Sequence, residues 1–274
     1  MSEPRDGRAD AAPGDAALPD PDLALLRLLQ LADSSFPSGA YTLSHGLETL
    51  VADGLVADAD GLAGLIRVQL LAKLARSDLV ALLAAHAAAS PDPVGGPDAA
   101  ASDTAAPGAG VPDTAAPDAD ARIVAVDRRL RASKLAADER RGSERVGRRL
   151  ATEVVRLVPG ARLEAFLAAV EAGSTPGNSA VAFGLAGAAF GIDRRRTALA
   201  AASAQVTGLV AAAVRLGLIG HAAGQRLIAG AAPLIVEAVE VASTGDWRDL
   251  RPSAPGLDVA LARHEHAAAR SFVS

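Results

Sequence analysis

Residues 179–216 read SAVAFGLAGAAFGIDRRRTALAAASAQVTGLVAAAVRL, and this stretch decides the fold. Its alanines and leucines favour two helices, Ser179–Ile192 and Thr197–Leu216, joined by a short charged connection. Small residues recur every four positions in the first helix, at Ala180, Gly184 and Ala188. A neighbouring backbone can approach closely along such a face. We therefore expect these two helices at the centre of an all-α bundle.

The composition also favours helices. Of the 274 residues, 50% are hydrophobic but only 3% are aromatic, which suits closely packed helices better than a sheet. The most apolar run, residues 180–192, is shorter than the roughly 20 residues that span a bilayer. A second alanine-rich run follows it, so a membrane hairpin is the alternative to a bundle core. We predict no membrane association.

Charge and cysteine content exclude several classes of protein. The formal net charge is -5, so the whole molecule has no long-range attraction for nucleic acid or an anionic membrane. The chain contains no cysteine, which excludes disulfides, thiolate metal sites, iron–sulfur clusters and cysteine nucleophiles. Residues 1–22 lack the apolar core of a secretory signal, and we expect a cytoplasmic protein.

Two segments lie outside the helical pattern. Residues 1–22 are polar and interrupted by proline, which predicts a disordered tail. Residues 90–121 contain DTAAP twice and no charged residue except Asp, which predicts a disordered Asp/Ala/Pro-rich insertion. Such an insertion adds little loop-closure entropy. We expect a single helical-bundle domain over residues 23–274, with an inter-domain linker as the alternative interpretation of the insertion.

Apolar residues at helical spacing predict the remaining helices. They are expected at Leu23–Ala32, Tyr41–Ala52, Asp60–Ala88, from Arg122 to a stop at Pro159, at Leu163–Ala172 and at His221–Ser243. The first has apolar residues on nearly every side, which is typical of a helix enclosed by others. In the arginine-rich stretch, the inward-facing residues are expected to be Ser143, Val146, Leu150, Val154 and Leu157.

No pattern for catalysis or cofactor binding occurs. The sequence lacks the GxxxxGKS/T phosphate loop and the context of a dinucleotide site. Two His/Glu groups are close in sequence: His45 with Glu48, and His264 with Glu265 and His266. His45 and Glu48, three positions apart, would share a helix face, so a weak metal site is one interpretation. We favour simple polar contacts, because a pair at i, i+3 usually makes one and because His264 and His266 would lie on divergent helix faces. The same divergence argues against Ser44 and His45 as a nucleophile–base pair. We predict no catalytic residue, metal or cofactor.

A basic stretch offers the strongest alternative function. Nine cations stand between residues 128 and 149: Arg128, Arg129, Arg131, Lys134, Arg140, Arg141, Arg145, Arg148 and Arg149. A helical arginine face could bind nucleic acid. However, no aromatic residue is interleaved, and Glu144 is placed to pair with Arg148 at i, i+4. A solvated surface is the favoured interpretation, followed by contact with a protein partner and then by nucleic-acid binding.

Four separated blocks resemble the urease accessory protein UreF family. They are Leu31–Gly39 with Tyr41 and Ser44–Glu48, then Arg140–Leu150, then Ala180–Gly184 with Ala213–Gly217 and Gly224–Arg226, and finally Pro255–Ser274. They are similar to the family's Phe/Leu-Pro-x-Gly and Ser-x-Gly-Leu-Glu, Ser-x-x-x-Gly-x-x-Leu, Ala-Val-x-Phe-Gly with Gly-Gln-Arg, and terminal His-Glu motifs. Order and spacing agree across residues 23–89 and 122–274.

The resemblance implies a function without catalysis. The family is all-α and forms a cytoplasmic complex with the accessory protein UreD, also called UreH, and the GTPase UreG. This chain would bridge the two and regulate GTP-dependent nickel insertion into apo-urease, as a homodimer within the complex. A nucleic-acid-binding helical protein and a hydrolase with an unrecognised site are the competing classes.

The matched polar and terminal residues are the expected partner-binding residues. They are Tyr41, Ser44, His45, Glu48, Arg215, Gln225, Arg226, His264, Glu265, Arg270 and Phe272. The chain also departs from the family pattern at Asn178, His221 and Ser271. Because these departures remove polar groups of the family's interior path or terminal contacts, they leave the detailed partner surface open.

Overall fold

A computed structural model describes residues 20–90 and 119–266, together with Phe272. Within these residues the chain forms eleven α-helices and no β-strand, so the all-α prediction is confirmed. The helices are α1 Pro21–Ala32, α2 Leu47–Ala52, α3 Ala59–Val68, α4 Asp78–Ala89, α5 Ala119–Ser133, α6 Ala137–Leu157, α7 Ala161–Glu171, α8 Ser179–Ala189, α9 Arg194–Arg215, α10 His221–Ser243 and α11 Pro255–His264. Buried side chains from all of them form one hydrophobic cluster.

Helix α8 lies at the centre, as the small residues predict. It packs against α4, α6 and α9. A Cβ atom added at Gly184 would stand only 2.5 Å from the carbonyl oxygen of Leu82, because the backbones of α8 and α4 meet there. On another side of α8, a Cβ at Gly147 would overlap the backbone of residues 177–179. Glycine at these positions therefore permits close helix packing.

The predicted helix Tyr41–Ala52 is wrong in its first half. Only a 3-10 turn at Ala40–Thr42 precedes α2. Between them the backbone is left-handed at His45 and Gly46, with φ angles of 51° and 83°. A right-handed helix cannot continue through such residues, so α2 begins only after them.

The predicted helix Asp60–Ala88 is also interrupted. After α3 the chain continues through a π-helical turn at Gln69–Lys73 and a 3-10 turn at Leu74–Arg76 before α4 begins. The carbonyls of Ala72 and Arg76 instead accept hydrogen bonds from the backbone amides of residues 253 and 251, at 3.0 and 3.2 Å. A distant segment therefore satisfies the groups that a continuous helix would have paired.

The arginine-rich stretch contains two helices, α5 and α6, separated at residues 134–136. The Arg140 guanidinium donates to the carbonyls of Lys134 and Leu135, at 2.8 and 2.7 Å, and so stabilises the break. Helix α5 begins at Ala119 and α1 at Pro21, so residues 21–22 and 119–121 are helical, contrary to the predicted tail and insertion. Asp20 and Ser90 cap α1 and α4, and residues 1–19 and 91–118 of the two predictions lie outside the described residues.

Helix α1 is less enclosed than expected. Leu25, Leu26 and Leu29 are 52%, 64% and 60% exposed, whereas Leu31 is buried. The helix is attached along one side only, where Arg27 donates to the Phe190 carbonyl at 3.2 Å. The prediction of a fully enclosed helix is wrong, since α1 leaves an apolar surface uncovered.

The inward stripe predicted for α6 is largely correct. The first four of its five residues are buried. The fifth, Leu157, is 51% exposed because it is the last residue of the helix and lies beyond the packed region.

Candidate functional site

The loop before α2 creates the site. His45 and Gly46 turn the chain sharply beneath α11, and a Cβ at Gly46 would stand 2.9 Å from Leu257 Cδ1. Glycine is therefore needed here both for its positive φ and for the close approach. The turn places Glu48 in the first turn of α2, facing α11. His45 and Glu48 do not share a helix face, contrary to expectation, because His45 precedes the helix.

The Glu48 carboxylate joins α2 to the end of the chain. Its Oε2 accepts two hydrogen bonds, one from His264 Nε2 at 3.0 Å and one from the backbone amide of Phe272 at 3.2 Å. The His264 ring is buried, and its Nδ1 lies 3.6 Å from a carboxylate oxygen of Asp138 at the start of α6. His264 is therefore enclosed between carboxylates from two other helices.

Arg215 contacts Phe272 as well. Its Nη2 donates to the Tyr41 carbonyl at 2.7 Å, and its guanidinium carbon lies 4.8 Å from the centre of the Phe272 ring. An arginine at this distance is attracted by the face of the ring. The Tyr41 side chain is 60% exposed, so an aromatic ring faces solvent beside this contact.

Glu265 attaches the end of α11 to α6. Its Oε1 accepts from the backbone amides of Ala137 and Asp138, at 2.5 and 3.1 Å. These amides open α6 and have no partner within the helix, and a carboxylate is favourable at this end of the helix dipole.

We call the assembled group the C-terminal clasp: Tyr41, Glu48, Arg215, His264, Glu265 and Phe272. The sequence predicted all six as partner-binding residues, and the structure brings them together from α2, α9, α11 and two flanking segments.

The other predicted partner-binding residues lie elsewhere. Ser44 is fully buried beneath the loop, and His45 faces an internal cavity. Gln225 and Arg226 are exposed on the second turn of α10, beside Gly224, which packs on α9. Arg270 lies outside the described residues.

The cavity beside the clasp combines a largely apolar lining with several charged side chains. It has a volume of about 340 Å³ and extends from α1 to α11. Its charged and titratable lining includes His45, Lys73, Asp78, Lys134, Glu139 and Arg215.

Two buried lysines of the cavity belong to one ionic network. Lys73 Nζ lies 3.1 Å from Glu139 and 2.9 Å from Asp258. Lys134 Nζ lies 2.7 Å from Asp78 and 3.9 Å from Glu139. The lysine side chains are 8% and 6% exposed, so these pairs neutralise charges that would otherwise be costly to bury.

Burial and the ionic network together shift the pKa values of Lys134, Asp78 and His45. Burial alone would lower the pKa of Lys134, but the carboxylates of Asp78 and Glu139 outweigh it and raise that pKa. Burial alone would raise the pKa of Asp78, but Lys134 outweighs it and lowers that pKa. Desolvation, reinforced by Lys134 and Lys73, lowers the pKa of His45 to about 4. At neutral pH the pair is therefore ionised and the imidazole is neutral.

Sequence reasoning did not identify this network. One signal was present, because Lys73 and Asp78 stand within a mainly apolar run from residue 62 to 85. A charged residue in such a run needs a partner. The partners, however, lie up to 185 residues away and are brought together only by the fold.

Asn178, one of the departures from the family pattern, has a structural role. It is fully buried, and its Nδ2 donates to Asp127 Oδ1 at 2.8 Å. Asp127, also fully buried, accepts in addition from Thr175 Oγ1 at 2.8 Å and from the backbone amides of Gly177 and Asn178 at 2.6 and 2.8 Å. We call this group the Asp127 junction. The other departures are His221, exposed at the start of α10, and Ser271, outside the described residues.

The basic stretch does not form one uniform surface. Lys134 is buried, and Arg128 donates to the Ser174 carbonyl. Glu144 pairs with Arg131 of α5 at 2.6 Å rather than with Arg148, contrary to expectation. The break between α5 and α6 brings these two residues together across the two helices. Four arginines of α6 remain on a shared surface cleft.

The described ranges contain no group of three or more His, Cys, Asp or Glu side chains arranged to hold a metal ion. By length and composition α9 could cross a membrane, but half of its most apolar window is buried inside the protein. Packing in the bundle accounts for that apolar composition.

Known proteins are similar to this chain over most of its length. The UreF family model matches residues 56–232. A urease accessory protein UreF from a Bacillus species, strain TB-90, is 30% identical over 250 residues, which cover 91% of this chain and 99% of the relative. The UreF protein of Lachnoclostridium phytofermentans is 30% identical, covering 92% of this chain and all of the relative.

A third relative agrees. The UreF protein of Paenarthrobacter aurescens is 31% identical over 249 residues, 91% of this chain and 97% of the relative. The matched region of the family model includes both buried lysines, the Asp127 junction and Arg215. The chain belongs to the UreF family of urease accessory proteins.

Proposed function

We propose that this chain is a non-enzymatic urease maturation factor that bridges a UreD/UreH-type accessory protein and a UreG-type GTPase. In this role it regulates GTP-dependent nickel insertion into apo-urease. Membership of the UreF family over most of the chain supports a role in urease maturation. We further propose that it acts in the cytoplasm, forms a homodimer within the complex, and needs no membrane or nucleic acid.

The C-terminal clasp is the observation that carries the bridging role. It gathers six separately predicted residues, one of which, Tyr41, is exposed. Phe272 is buried against the hydrophobic core, its backbone amide donates to Glu48, and its ring lies against Arg215. A partner would meet this connected group at the exposed Tyr41.

The exposed leucines of α1 provide a further apolar surface. Leu31 of α1 and Tyr41 line the same cavity, so α1 and the clasp are neighbours. Three leucines exposed on one helix are typical of a surface that another protein covers. The clasp would supply polar specificity and α1 apolar contact area.

The chemistry of the cavity fits a scaffold better than an enzyme. The carboxylates of Asp78 and Glu139 are held by buried lysines. Acids fixed in this way act as charge partners rather than as proton-transfer groups, because transfer would leave a buried lysine unneutralised.

Co-purification tests the proposal. The full chain is expressed with its UreD-type and UreG-type partners, and urease activation is measured with and without it. We expect a ternary complex and activation that depends on this chain. Failure to form any complex, together with unchanged activation, would refute the bridging role.

A further inference from the structure

An arginine cleft lies on the exposed side of α6. It has a volume of about 540 Å³. Its lining comprises Arg141, Glu144, Arg145, Arg148, Arg149, Thr152 and Pro176. The twelve residues from Arg141 to Thr152 span about 16 Å of helix. An extended peptide of about five residues has that length.

The cleft carries cations that the described residues do not neutralise. Within the described ranges, Arg148 and Arg149 form no ion pair with a carboxylate, and Arg145 donates only to the neutral Thr42 hydroxyl at 3.2 Å. The one acidic lining residue, Glu144, is paired with Arg131. A local cluster of positive charge thus stands on a chain whose net charge is -5.

The arginine cleft adjoins the C-terminal clasp. The Thr42 hydroxyl accepts a hydrogen bond from Arg145. The carbonyl of the preceding residue, Tyr41, accepts one from Arg215. On the other side, Arg141 pairs with Asp138, which lies 3.6 Å from His264. A partner seated on the clasp would therefore reach the arginines as well.

We propose that the arginine cleft binds a segment with clustered Asp and Glu residues, carried by the protein partner that the clasp engages. The proposal rests on the proposed function and adds the chemistry of the partner. Guanidinium groups bind carboxylates in a bidentate manner, and free arginines at this spacing fit successive acidic side chains. Nucleic acid fits less well, because no aromatic residue lines the cleft and the whole chain is anionic.

The test compares two double charge reversals in the full-length chain. Arg148→Glu with Arg149→Glu alters the cleft. Arg67→Glu with Arg194→Glu is the matched control: both are exposed arginines on other helices, and the change in net charge is the same. Affinity for the purified UreD-type and UreG-type proteins is measured separately at several salt concentrations. We expect the cleft variant to lose at least about tenfold in affinity for one of them, with a smaller salt dependence, and the control to bind like the wild type.

Three outcomes would overturn the proposal. The first is equal affinity of the cleft variant and the control. The second is a comparable loss in both variants, which would indicate a general charge effect. The third is wild-type partner affinity combined with lost binding to a duplex oligonucleotide, which would assign the cleft to nucleic acid. If the wild-type chain binds neither protein, the proposed function fails first, so the two failures are distinguishable. Equal melting temperatures of the two variants exclude unfolding as the cause.

Discussion

The C-terminal clasp and the Asp127 junction are both built around one carboxylate that accepts several hydrogen bonds. Asp127 is fully buried and its donors come from one short segment, residues 175–178. The Glu48 side chain is 17% exposed, and its donors include the buried His264 ring and the distant amide of Phe272. The same chemistry therefore joins neighbouring residues in one place and segments distant in sequence in the other.

This difference predicts which substitutions change stability and which change binding. Loss of a fully buried acceptor leaves its donors without water or protein partners. Loss of a partly exposed acceptor lets water replace it. The junction should therefore control the free energy of unfolding and the clasp the affinity for a partner.

The largest effect is expected for Asp127→Ala. It leaves the Thr175 hydroxyl, two backbone amides and the Asn178 side chain without their acceptor. At about 1 kcal/mol or more per buried unsatisfied group, the free energy of unfolding should fall by about 3 kcal/mol or more. Urea denaturation measures it. A loss below about 1 kcal/mol would show that water enters the junction and would remove the contrast with the clasp.

Gly147→Ala tests the packing of the same junction. The new methyl group would overlap the backbone of residues 177–179, which cannot rotate away as a side chain can. We expect a loss of about 1–3 kcal/mol. Gly208→Ala is the matched control, since nothing lies within 4 Å of the added atom in α9. It should be neutral or stabilising by up to about 1 kcal/mol. Equal effects in both variants would contradict this account of close packing.

The pH dependence of stability tests the environment of His45 in the cavity. The folded protein lowers the pKa of His45 from 6.5 to about 4, so the fold disfavours its protonated form. Stability is then complete above the unfolded pKa and decreases as pH falls from 6.5 towards 4. His45→Gln should flatten the decrease over this window. His221→Gln, at an exposed position, is the control, and an unchanged slope in His45→Gln would refute the assignment.

The smallest effect is expected for deletion of residues 91–118. This segment is rich in Asp, Ala and Pro and has little apolar area to bury. The free energy of unfolding should change by less than about 1 kcal/mol, since loop length contributes only weakly. A drop in the free energy of unfolding as large as that of Asp127→Ala would show that this segment has a structural role.

The fold was predictable from sequence where local pattern decides it. Small residues repeating every four positions located α8 at the centre, and the predicted bounds of α10 match the structure. The interruption between α3 and α4 was not predictable, because its carbonyls are satisfied by residues 251 and 253. The start of α2 was missed because a left-handed His45 is unusual for a residue with a side chain.

The site was predictable only as a set of residues. Family resemblance identified the clasp residues. It did not show that Glu48 accepts a hydrogen bond from His264, 216 positions later in the chain. The lysine network was missed for the same reason, since its pairs join segments distant in sequence. Local spacing carries no information on such contacts, whereas it does specify helices.

The most direct test measures two quantities on one pair of variants, Glu48→Gln in the clasp and Asp127→Asn in the junction. For each, partner affinity and free energy of unfolding are determined in parallel. The account predicts that Glu48→Gln loses at least about tenfold in affinity while its stability falls by less than about 1 kcal/mol, with the reverse pattern for Asp127→Asn. Unchanged affinity in Glu48→Gln, or a loss of stability equal to that of Asp127→Asn, would contradict a partner-binding clasp.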